Sequence, residues 1–190
     1  MSLLDKIAAA VTPMASEEKR AEARRQAEGL AKGDDWLGQI LSHHRQIESA
    51  FDRALNAGGA EGRRTAAGEL AAILMAHANA EEAVIYPALV NGSSKTHATL
   101  AYEEQAAAKI NMAILENLDP MSQEWRDKLE HIQGAVLQHV YQEESSWFPD
   151  VVRNTPAEQQ RLLTERYARE FGRYDIGGSG NQPSQLPEIA

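Results

Sequence analysis

A chain of 190 residues, 43% apolar and 25% charged, has the length of one domain with appendages and enough apolar content for a real core. Its formal charge of -9 argues against a nucleic-acid binder, which needs Lys and Arg clustered on one face, and the absence of cysteine removes disulfides, thiolate metal sites and cysteine nucleophiles together. No apolar run approaches the ~18 residues of a membrane span and the N-terminus has no signal-peptide core, so a cytoplasmic protein with no membrane partner is expected.

Residues 1–33 read as a helical extension. A short apolar segment and Thr12-Pro13 precede a run rich in helix formers, which Ser16 can cap with acidic residues behind it. Gly33 breaks the pattern. The first bundle helix is expected over residues 34–56 with Asp34 as N-cap, because Leu37, Ile40, Leu41, His44, Ile47, Phe51 and Leu55 recur at spacings of three and four. A second is expected over 61–89, carrying Leu70, Ile73, Leu74, His77, Glu81 and Ile85 inward, with Pro87 bending it or ending it early.

The turn residues at 91–95 introduce a third helix over 94–117, and Asp119-Pro120 closes it. Ser122 can cap a fourth, which carries Trp125, Leu129, Ile132, Val136, His139, Val140 and Glu143 and ends near Val152. Thr155-Pro156-Ala157-Glu158 combines an N-cap, a proline at the first helical position and a capping-box acid, so a fifth helix is expected over 156–174, within a C-terminal segment at 153–175. Residues 176–190 lack apolar content and read as a disordered tail. Long amphipathic helices, short connections and no strand-like alternation predict an all-α protein: an antiparallel up-down-up-down four-helix bundle at 34–152, with an N-terminal extension and a C-terminal fifth helix.

The two halves of that bundle repeat each other. Residues 77–87 read HANAEEAVIYP and residues 139–149 read HVYQEESSWFP, both H-x-x-x-E-E-x-x-x-[YF]-P. One H-x-x-x-E is commonly a surface ion pair. Here both pairs continue the apolar stripe of a core helix, where a bare carboxylate is costly to bury and needs a partner. Residues four apart share a helix face, so each pair can aim two donors at one cation. His44 points inward from its own stripe. His44, His77, Glu81, His139 and Glu143 are therefore the candidate metal ligands, and imidazole with carboxylate suits Fe, Mn or Zn. One residue further on, Glu82 and Glu144 are turned about 100° away and are expected at the surface or rim. By the same phase argument His43 and His131 face solvent, and His97 is a helix-start residue.

The repeat fails at one place. The counterpart of His44 falls near Gln105, which shares a face with Ala101, Ala108, Met112 and Leu115; Tyr102 and Glu104 stand close enough to offer an oxygen donor instead. Three imidazoles and two carboxylates suit a dinuclear iron centre with bridging carboxylates, while a single Zn or Mn ion needs fewer donors. The spacing leaves that choice open.

At these residues the chain resembles the hemerythrin-like, HHE cation-binding family. The resemblance rests on His44, on His77/Glu81 with Tyr86-Pro87, and on His139/Glu143 with Phe148-Pro149, and it implies a non-haem di-iron centre that meets O2, peroxide or nitric oxide. It also implies a further histidine where this chain has Gln105, a departure that favours reactivity over reversible O2 carriage and opens the alternative of a metal-dependent enzyme of oxidase or peroxidase type. Nothing in the sequence sets the oligomeric state.

Overall fold

The computed structural model describes residues 14–174. The expected disordered tail at 176–190 and the apolar segment at the N-terminus lie outside them. Among the described residues every regular element is helical. Helix α1 is Glu17–Leu30, α2 is Trp36–Asn56, and α3 is Gly59–Ala80, which passes through a π turn at Glu81–Ile85 into α4, Tyr86–Gly92. Helix α5 is Lys95–Glu116. Helix α6 is Gln123–Gln142, which passes through a second π turn at Glu143–Trp147 into α7, Phe148–Asn154, and α8 is Ala157–Phe171. The antiparallel four-helix bundle consists of α2, α3 with α4, α5, and α6 with α7.

Local chemistry sets the helix starts. Ser16 accepts from the Lys19 amide, Ser94 from that of His97 and Ser122 from that of Trp125, each filling one of the unpaired donors of a first turn. The second start differs from expectation by one residue: Asp35, not Asp34, caps α2, accepting from the Gly38 amide at 2.9 Å. That corner is tight. Gly33 has φ +64°, and a Cβ on Gly38 would lie 2.2 Å from the Gly33 carbonyl oxygen. At α8 the expected threonine cap does not form; Pro156 occupies the cap position with no side-chain bond.

Pro87 neither ends nor breaks its helix. Proline lacks an N–H and its ring crowds the carbonyl four residues back. The chain absorbs this by widening one turn, so that the Tyr86 amide donates to the Glu81 carbonyl, five residues back. Phe148, before Pro149, does the same to Glu143. Both π turns therefore begin on a candidate ligand, and π turns inside α-helices are frequent at functional sites.

The core has two apolar layers. Leu37, Ile40, Leu41, Ile85, Leu89, Trp147, Phe148 and Val151 form one; Ile47, Phe51, Leu70, Leu115, Trp125, Leu129, Ile132 and Val136 form the other. The candidate ligands lie between the layers. Helix α1 lies along α2, α6 and α7, closing the groove between the first and fourth bundle helices, and α8 closes the groove between the first and second. Both appendages thus pack on the bundle beside the site.

Candidate metal centre

His44 comes from α2, His77 from the end of α3, Glu81 and Glu143 from the first residues of the two π turns, and His139 from the end of α6. Each is at most 7% exposed. His44, His77, Glu81 and Glu143 can each offer one ligand atom such that all four atoms lie within 4.8 Å of one another, the grouping expected around a cation. Among the described residues only four buried side-chain atoms lack a hydrogen-bond partner, and three of them are His44 Nε2, Glu81 Oε1 and Glu143 Oε2. These three converge: His44 Nε2 lies 3.3 Å from Glu143 Oε2 and 4.0 Å from Glu81 Oε1. Buried polar groups are rarely left unpaired, and a metal ion among these donors satisfies all three.

The opposite ring nitrogen of each histidine is held from behind. His44 Nδ1 is 2.8 Å from Glu144 Oε1, His139 Nδ1 is 2.8 Å from Glu104 Oε2, and His77 Nδ1 is 3.2 Å from the Tyr167 hydroxyl. Carboxylates at Nδ1 of His44 and His139 favour a proton there, which turns Nε2 toward the site, and the Tyr167 hydroxyl can serve His77 in the same way.

His139 faces the other side of the carboxylates. Its Nε2 lies 3.2 Å from Glu143 Oε1 and 3.0 Å from the Tyr86 hydroxyl. That hydroxyl is also 3.0 Å from Glu143 Oε1 and 3.2 Å from Glu81 Oε2, and it accepts from the Gln105 amide nitrogen, which in turn donates to Glu81 Oε2 at 2.7 Å. Four buried polar side chains thus meet at one phenol oxygen. Tyr86 therefore stands where a second set of donors converges. Glu81 and Glu143 each turn one oxygen to His44 and the other to Tyr86.

Protons relieve the crowded charges. Burial pushes the His44 imidazole down, but the carboxylates of Glu143 and Glu144 outweigh it and raise it to about 9. His139 is likewise opposed by burial and raised well above its ordinary value by Glu143 and Glu104. Burial and then the repulsion of His44 hold His77 well down, and burial and then Glu143 hold Glu81 well up. Glu143 is lowered, His139 and His44 overcoming its burial. The donor set accordingly takes up positive charge as protons, and a metal ion would displace them.

Several expectations change. Glu144, expected at the rim, is 1% exposed, because α1 covers that flank and Arg24 donates to both of its carboxylate oxygens at 2.8–3.2 Å. Its counterpart Glu82 stays at the rim, paired with Lys109 at 2.7 Å, because neither α1 nor α8 covers the groove between the second and third bundle helices. His43 is half-buried rather than facing solvent, with Nδ1 2.9 Å from the Tyr167 hydroxyl and its ring stacked on Phe171. Tyr102 points away from the site, 40% exposed, and donates to the Glu82 carbonyl. Glu104 reaches the back of His139 rather than the ligand side. Gln105 is 5% exposed and faces Glu81 and Tyr86.

Sequence reasoning missed Tyr86. The signal was present: in an otherwise matching repeat, Tyr86 stands over Phe148, so the first half carries an extra hydroxyl where the second half, at Gln105, lacks a histidine. Phe148 stacks beside His44, whereas Tyr86 reaches across to Gln105.

Comparison with known proteins agrees with this geometry. Over residues 33% identical across 104 positions, the chain is similar to a DNA nickase of Nostoc sp. (strain PCC 7120 / SAG 25.82 / UTEX 2576), a match that covers 55% of this chain and 28% of the relative, so the likeness spans little more than a quarter of that protein. No solved structure matches. The family model for the hemerythrin HHE cation binding domain matches residues 37–151, more than half of the chain and the whole of the donor set. The chain belongs to the hemerythrin HHE cation-binding family.

Proposed function

We propose that this protein holds two iron ions between its apolar layers and uses them to bind, sense or detoxify O2, peroxide or nitric oxide. The observation that carries the reading is the convergence of unpaired buried atoms on His44, Glu81 and Glu143. One ion would be held by His44, His77, Glu81 and Glu143. The other would be held by His139, the second oxygens of Glu81 and Glu143, and Tyr86 supported by Gln105. When bound, such a centre supplies electrons and an open coordination position for a small oxidant. The protein's own carboxylates and imidazoles would hold the ions, with the groups behind the imidazoles fixing their orientation and the apolar layers excluding bulk water.

Burial supports the size of the ligand. With each candidate ligand at most 7% exposed, the burial favours a diatomic molecule or peroxide over a larger substrate. A second reading, turnover of peroxide or another oxidant rather than reversible binding, is favoured by Gln105 and Tyr86, since an oxygen donor replaces an imidazole there. Nicking of DNA stays with the relative, because a chain of net charge -9 is poorly suited to a phosphate backbone; nicking of supercoiled plasmid by the purified protein would reverse that view.

The test is metal analysis after iron-replete expression, followed by a visible spectrum with and without azide. Two irons per chain and an azide-responsive diferric chromophore are expected. A stoichiometry near zero, with no uptake on anaerobic addition of Fe(II), would overturn the reading.

A further inference from the structure

The family match stops at residues 37 and 151, yet two of the three candidate ligand imidazoles are held by residues that depend on helices beyond it. Helix α1 brings Arg24, whose guanidinium donates to Glu144 and, at 2.8 and 2.9 Å, to both oxygens of Glu48. Glu144 in turn holds His44 Nδ1. Helix α8 brings Tyr167, fully buried, whose hydroxyl lies 3.2 Å from His77 Nδ1 and 2.9 Å from His43 Nδ1.

The hydrogen-bond directions are decided once His77 ligates through Nε2. A neutral imidazole bound at Nε2 carries its proton on Nδ1, so His77 donates to the Tyr167 oxygen and the single phenol proton goes to His43. Without a ligand at Nε2, His77 can adopt either tautomer and the chain of bonds has no fixed sense. In the same way Arg24 donates to both carboxylate oxygens of Glu144, and Glu144 is turned to accept the Nδ1 proton of His44 at 2.8 Å. The remaining imidazole, His139, is held by Glu104 from within the bundle and owes nothing to either appendage.

We propose that Arg24 and Tyr167 are positioning residues for the metal, so that docking of α1 and α8 and occupation of the His44/His77 side of the centre strengthen each other. This rests on the metal-binding reading above. By linkage, whatever the docked helices add to metal affinity the metal returns to their docking. Outer partners of metal-bound histidines typically alter affinity by about 10–100-fold when removed, which is the effect expected here.

The experiment uses the full chain and Fe(II) under anaerobic conditions, with affinity read by competition against a chelator. Tyr167→Phe removes one hydroxyl and keeps the ring in its pocket; Arg24→Met removes the guanidinium and keeps much of the stem. Each is expected to weaken Fe(II) binding on the His44/His77 side about tenfold or more while helical content stays at the wild-type level. Thr164→Val is the control. Thr164 anchors the same helix through the Trp36 amide at 3.0 Å but touches no imidazole of the centre, so it should lower stability without the same loss of affinity.

A second readout does not depend on any variant folding. In wild type, hydrogen exchange of α1 and α8 amides should slow on adding Fe(II), and it should slow less in Tyr167→Phe over α8 alone. Wild-type affinity in both variants, or exchange in the two helices unchanged by metal, would overturn the proposal. Wild-type protein that takes up no Fe(II) would instead overturn the metal-binding reading itself.

Discussion

The metal-free protein should lose stability as pH rises from 6.5 to 9. In the fold His44 holds its proton up to about 9, whereas its ordinary value is 6.5. Between those values the folded chain keeps a proton that the unfolded chain has released, so the stabilisation is complete below 6.5 and gone above about 9. At about 1.4 kcal/mol per pH unit, this difference is worth about 3 kcal/mol. For a domain of this size that lowers the melting temperature by about 10 °C. His139 and Glu81, also held above their ordinary values, act in the same direction; His77, held down, acts only below 6.5 and leaves the window alone. The assay is thermal unfolding of chelator-treated protein at pH 6.5 and 9, beside His44→Gln, whose melting temperature should change much less. A metal-free wild type with a melting temperature that is flat or rising across this window would refute the charged-imidazole account. Metal binding should show the opposite dependence, tightening as pH rises toward 9, because the ion displaces these protons.

Tyr86→Phe removes the oxygen on which Glu81, Glu143, His139 and Gln105 converge; iron uptake should fall from two ions toward one, and any visible band from a phenolate-to-iron transition should vanish while the helical signal persists. Gln105→His restores an imidazole in the third bundle helix and should shift the azide-dependent spectrum and favour a stable O2 adduct over peroxide turnover, as followed by stopped-flow absorbance. Gly38→Ala places a Cβ 2.2 Å from the Gly33 carbonyl oxygen. Its gain in helix propensity, about 1 kcal/mol, is smaller than a backbone clash, so a net loss of about 1–3 kcal/mol in urea unfolding is expected, with metal content unchanged.

The fold was legible because helix periodicity is a local property. The stripes through Leu37, His44 and Phe51, and through Leu129, Val136 and His139, each fix which face of a helix turns inward, and short turns at Gly58 and Ser94 leave antiparallel packing as the way to bury them. The placement of His44, His77, Glu81, His139 and Glu143 in one buried cluster follows from the same phase argument. What periodicity could not supply was anything decided by a neighbour distant in sequence. Glu82 and Glu144 have the same phase in the repeat, and only the covering of one flank by α1 separates a rim residue from a buried one. Tyr167 and Arg24 were visible as parts of helices but not as partners of imidazoles, because those contacts span 90 and 120 residues.

The π turns explain why the two halves can share a motif and still differ at the site. In each half the proline deprives its helix of one amide donor and crowds the carbonyl four residues back; the turn widens between the carboxylate and the aromatic residue. That widening sets the aromatic ring beside the donor set instead of leaving it to follow the ordinary helical phase. In the second half the ring is Phe148, which packs against His44 and Trp36 and adds no donor. In the first half it is Tyr86, and the same backbone device delivers an oxygen to the side served by Gln105 rather than by a histidine. In the proposed centre a hydroxyl on a π turn would thus stand in for an imidazole on the facing helix. Within the donor set itself the two halves differ where Tyr86 stands over Phe148 and Gln105 over His44, and Tyr86 and Gln105 are joined by a hydrogen bond.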